Sequence, residues 1–139
     1  MSTTITLEQA RLVADKALEV AANQYNHRPL SVAICDNYGF LLAFNRMDNA
    51  KLLTIDLTQR KAYTAARMSC KTLAFLQRLQ KEALDIHYFG DPHFTALPGG
   101  IPVFQPDGKL AGAVAIGGLS AEEDHQLAEI VAQYLTEML

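Results

Sequence analysis

Lys61 has the least ordinary setting of any charged residue in the chain. It lies in the run TQRKAYTAAR, residues 58–67, with Ala62, Ala65 and Ala66 around it. If that alanine-rich face meets a sheet, the ammonium is partly desolvated and its pKa falls. Such a lysine can hold a ligand carboxylate or phosphate, or serve as acid or base. The plainer alternative is a solvated lysine, or an ion pair with Asp56 or Asp48. Thr64 follows three residues on, on roughly the same helical face, and adds a hydroxyl. Arg46 and Asp48 stand at a strand end, where they hold the turn into the next helix, and Arg46 can instead clamp an anion. Gly99 and Gly100 close a long polar loop just before a strand, where exposed amides can face a ligand.

Other chemistries are excluded by spacing. Gly108-Lys109 is followed by Leu110, so no phosphate-binding loop of the Gly-x-x-x-x-Gly-Lys-Ser/Thr type exists, and no Gly-x-Gly-x-x-Gly is present. No Gly-x-Ser-x-Gly elbow occurs. The four histidines, His27, His87, His93 and His125, form no i, i+4 pair and no Cys/His cluster, which argues against zinc. Cys35 and Cys70 make no Cys-x-x-Cys pair, and Cys35 reads as a small buried thiol. Glu122, Glu123 and Asp124 sit where a helix N-terminus favours negative charge, so helix stabilisation accounts for them.

The elements that must position these residues follow from periodicity. Thr6 with Gln9 forms a capping box, and Leu7, Ala10, Ala14, Ala17, Leu18 and Ala21 recur at helical spacing over residues 7–26. Residues 30–35 and 40–44 are two apolar runs around Asp36-Asn37-Tyr38-Gly39, a β-hairpin apolar enough to be covered on both faces. Residues 54–68, with Thr54 as cap, and 72–80 favour helix. Residues 81–98 read as a long loop of the kind that more often has a function. A second hairpin, 101–104 and 110–116, turns at Pro106-Asp107-Gly108. Gly117 and Gly118 shape the turn into a last helix, capped by Ser120 and Glu123, with Leu127, Ala128, Val131, Ala132 and Leu135 inward. The order predicts an α/β (α+β) fold: a profilin-like α/β/α sandwich on a mostly antiparallel sheet of four or five strands.

The 139 residues suit a single domain spanning 1–139. The net charge of −3 and the lack of a basic block argue against nucleic acid or an anionic membrane as partner. With no signal peptide and no apolar run of membrane-spanning length, the cytoplasm is the expected location.

The segments SVAICDNYGFLLAFNRMDNA, DLTQRKAYTAARM, PGGIPVFQPDGKLAGAVAIGG and EEDHQLAEI together resemble the GlcG/HbpS family, which includes the C-terminal domain of PduO-type proteins. The resemblance runs from Leu7 to the C-terminus. It implies a profilin-like sandwich that assembles into dimers or larger homo-oligomers. It also implies a small-ligand-binding accessory role in glycolate, glycerol or propanediol metabolism, with haem as the candidate cofactor. The aromatic loop around Tyr88, Phe89 and Phe94 suits a flat tetrapyrrole, with His93 or His87 as non-covalent haem-iron ligand. Ligand contacts are expected from Arg46, Lys61, Thr64, Gly99 and Gly100. The alternative left open is a small isomerase or lyase acting on a polar metabolite, with Lys61 as acid/base or anion anchor.

Overall fold

The computed structural model describes residues 4–139. Helix α1 (Leu7–Gln24) leads into strands β1 (Ser31–Asp36) and β2 (Leu41–Arg46), then helices α2 (Leu53–Met68) and α3 (Thr72–Glu82). A 3-10 turn at Ile86–Phe89 interrupts the expected loop. Strands β3 (Gly100–Phe104) and β4 (Leu110–Gly117) and helix α4 (Ala121–Thr136) complete the chain. The strands form one sheet in the order β2-β1-β4-β3, and every pairing is antiparallel.

Side chains along the two central strands alternate by size rather than by polarity. Val32, Ile34, Val114 and Ile116 face one way and pack with Val13, Ala17, Leu127 and Val131 of α1 and α4. Ala33, Cys35, Ala113 and Ala115 face the other way, against Ala62, Ala65 and Ala66 of α2. Small residues on both sides let α2 lie close to the sheet, while the larger ones supply the volume of the main core. The result is the expected α/β/α sandwich, with α1 and α4 on one face and α2 on the other.

Both capping boxes form, at Thr6–Gln9 and Ser120–Glu123. Three local expectations shift. The buried stripe of α1 includes Val13 and Val20, while Leu7 is exposed. Strand β2 is an edge strand and only half covered. Helix α2 begins at Leu53 without a side-chain cap. Thr54 lies inside it and turns its hydroxyl to the Lys51 carbonyl and the Ser31 hydroxyl, because burial against β1 outweighs capping there.

Candidate functional site

Lys61 projects from α2 over the end of β4, where the chain turns toward α4. Its Nζ donates to the Ile116 carbonyl at 2.9 Å and to Asp124 Oδ2 at 3.0 Å. Asp124 Oδ1 accepts the Leu119 amide at 3.0 Å. Both side chains are nearly sealed, at 3% and 5% exposed. Burial pulls the Lys61 ammonium below the ordinary lysine range, against the opposing pull of Asp124. Burial likewise raises the Asp124 carboxyl, against the pull of Lys61. The partner is therefore Asp124, not Asp56 or Asp48; Asp56 pairs with Arg60 instead. Nothing in the local pattern singled Asp124 out from the other acidic residues of its helix turn.

Lys61 and the glycine pair do converge. Gly99 adopts φ +125°, and a Cβ there would lie 3.0 Å from Lys61 Nζ. A Cβ at Gly100 would collide with the Lys61 backbone carbonyl. These glycines let β3 approach the backbone of α2. The Gly100 amide is already engaged, donating to Thr72 Oγ1 at 3.0 Å, and the Gly99 carbonyl accepts the Ile116 amide. Thr64 Oγ1 donates to the Arg60 carbonyl and accepts the Thr95 amide, which pins the long loop to α2. Arg46 stands apart, at the end of β2, beside a depression it shares with Met47 and Asp48.

A cleft of about 170 Å³ opens on the other flank of α2, between that helix, the β1–β2 turn and the loop at Pro92–His93. Phe40, Leu41, Arg60, Tyr63 and His93 line it, with Cys35 at the sheet side. Asp36 shapes the turn by accepting the Tyr38 and Phe40 amides. The Tyr63 hydroxyl donates to Asp91 at 2.6 Å, which holds the phenol above its ordinary range. The Arg67 guanidinium lies 4.9 Å from the Tyr63 ring and 5.9 Å from that of Phe40. The His93 ring meets Tyr63 edge-on at 5.8 Å, and neither of its nitrogens has a hydrogen-bond partner among the described residues. Burial pushes the Cys35 thiol up to about 12, so it stays neutral and offers no thiolate.

The loop aromatics divide in two. Phe89 and Phe94 pack on Phe75 of α3, at 5.0 and 6.0 Å between centroids. Tyr88 and His87 point to solvent, and His87 Nδ1 is bound to Asp85 at 2.7 Å. Among the described residues no group of three or more His, Cys, Asp or Glu could hold a metal ion. For haem, the His93 cleft offers an imidazole whose ring has no partner among the described residues, aromatic and apolar walls, and the Arg60 guanidinium, which it shares with Asp56. Pockets that enclose a drug-sized ligand run to about 300–1,000 Å³. A cleft of about 170 Å³ has room for one edge of a macrocycle only.

Comparison with known proteins agrees with the fold. Residues 5–133 match the family described as haem degrading protein HbpS-like. Protein GlcG of Escherichia coli K12 is 32% identical over 116 residues, covering 84% of each chain. A crystal structure of a double mutant of Streptomyces reticuli HbpS superimposes with a TM-score of 0.85 at 32% identity, over 97% of this chain and 89% of that one. A crystal structure described as a PduOC–haem complex gives a TM-score of 0.79 at 25% identity, over 92% of both chains.

Proposed function

This chain belongs to the HbpS-like family, and on that premise we propose that it is a ligand-binding accessory protein whose ligand is a haem-type tetrapyrrole. The site is the cleft beside α2, with His93 as the iron donor, Phe40 and Tyr63 as the flat walls, and Arg60 and Arg67 as partners for a propionate. Bound haem would supply a redox-active iron there. The observation that carries this reading is the His93 imidazole, which stands at the lip of an aromatic cleft, edge-on to Tyr63, with neither ring nitrogen bonded to another described residue. What favours His93 over His87 is its place against the Tyr63 ring in the cleft lining, since His87 points to solvent away from any cleft wall. The haem complex of the structurally similar PduOC supports the choice of ligand class.

The setting we propose is a cytoplasmic pathway for a small polar metabolite such as glycolate, glycerol or propanediol. Among the described residues no helix is long and apolar enough to cross a membrane. The functional unit is a homo-oligomer. Phe40 in the cleft wall is 57% exposed, and Leu52 before α2 is 75% exposed. Exposed apolar groups of this size suit a protein interface. A second subunit there would cover the part of a macrocycle that the cleft leaves outside.

The test is a hemin titration followed at the Soret band, with native mass spectrometry of the loaded protein. A saturable shift is expected, lost in His93→Ala and retained in His87→Ala, on a species of more than one subunit. No saturable shift, or one that persists in the double His87/His93 alanine variant, rules out histidine-ligated haem.

A further inference from the structure

The Lys61–Asp124 pair forms part of the wall of a second depression, about 240 Å³, at the end of the sheet where α2 and α4 begin. Leu53, Leu57 and Leu97 supply apolar walls, and Lys51 stands on its rim. An ammonium has three donors. Lys61 gives two, to Ile116 and Asp124, and the third meets no acceptor among the described residues. A nearly sealed cation with a free N–H beside an open cavity favours an added acceptor, because an unmet buried donor is costly. The Lys51 side chain has no ion-pair or hydrogen-bond partner among the described residues. The positive end of the α4 dipole opens on the same wall, at Ala121.

We propose that this depression is a second binding site, for a short-chain aliphatic carboxylate whose head meets Lys61 and Lys51 and whose tail lies against the leucines. A phosphate is disfavoured on charge and shape. Lys51, Lys61 and Asp124 leave a net single positive charge, which a monoanion balances and a dianion would leave with an excess negative charge. The leucine walls would desolvate phosphate oxygens without bonding them. A water takes up about 30 Å³ of liquid, so the space equals roughly eight waters, ample for a chain of hexanoate length.

Hexanoate titration followed by the methyl NMR signals of the leucines tests the site. Saturable shifts at Leu53, Leu57 and Leu97 are expected, with 1-hexanol at least about tenfold weaker, since a neutral head forgoes the charge-assisted bonds. Lys51→Gln, an exposed change that leaves packing intact, should weaken hexanoate by up to about fivefold, the range of an exposed ion pair. Leu97→Trp fills the cavity and should abolish binding, while His93→Ala should bind hexanoate unchanged and so separates this site from the haem cleft. No saturable shift, hexanol binding as tightly as hexanoate, phosphate displacing hexanoate, or unaltered binding in Leu97→Trp would each overturn the proposal.

Discussion

The ammonium of Lys61 and the carboxylate of Asp124 lie across the end of the sheet and tie α2 to α4 through two nearly sealed side chains. Desolvation moves each group toward its neutral form; the other member of the pair opposes it, joined for Asp124 by the Leu119 amide. Removing one partner leaves a buried charge alone, a loss of about 3–5 kcal/mol, whereas replacing both with apolar groups is often neutral. Lys61→Met and Asp124→Asn should each lower urea-derived stability by that amount, and Lys61→Met with Asp124→Leu should recover most of it. Single variants within about 0.5 kcal/mol of the parent protein would show that the pair is incidental.

Helix α2 carries a different kind of constraint on each side. Toward the sheet it presents Ala62, Ala65 and Ala66 to Ala33, Cys35, Ala113 and Ala115. Outward it carries Arg60 and Tyr63, which line the cleft beside the β1–β2 turn, and Arg67, whose guanidinium lies over the Tyr63 ring. A close helix–sheet approach sets the height of that cleft relative to the β1–β2 turn, where Gly39 passes the Tyr63 ring. Ala65→Leu should cost about 1–3 kcal/mol by overpacking. Ala74→Leu, on the exposed side of α3, should stay within about 0.5 kcal/mol. Chemical denaturation of the two variants side by side measures the difference; equal stabilities would mean that the interface has slack.

The molecule as a whole should be weakened by mild acid. Glu123 accepts hydrogen bonds from Arg28 and from the Ser120 amide, and these hold its carboxyl down at about 2, below the ordinary 4.5. Its contribution is present above pH 4.5 and is lost as the pH falls from there toward 2, because the unfolded chain takes up the proton first. Arg28 lies between α1 and β1, so the contact ties the segment after α1 to the first turn of α4. Thermal melting across that window should show a falling Tm, with a shallower fall in Glu123→Gln. High salt should reduce the difference, since the pair is at the surface. A pH profile identical in the two proteins would remove Glu123 from the account.

The helices, both hairpins, the two capping boxes and the layered architecture were legible in the sequence. Each is governed by residues within a few positions of one another, as when Ser120 meets Glu123 or Gly108 closes the turn after Asp107. The resemblance to a family could likewise be read from short segments. The partners of the candidate residues could not. Lys61 meets Asp124 across 63 positions, Gly100 meets Thr72 across 28, and Thr64 meets Thr95 across 31. Those meetings depend on the strand order β2-β1-β4-β3 and on which helix covers which face. Local spacing therefore determined what each segment is, while the tertiary structure alone decided that the lysine is paired, that the glycine amide is engaged, and that His93 stands beside an aromatic cleft.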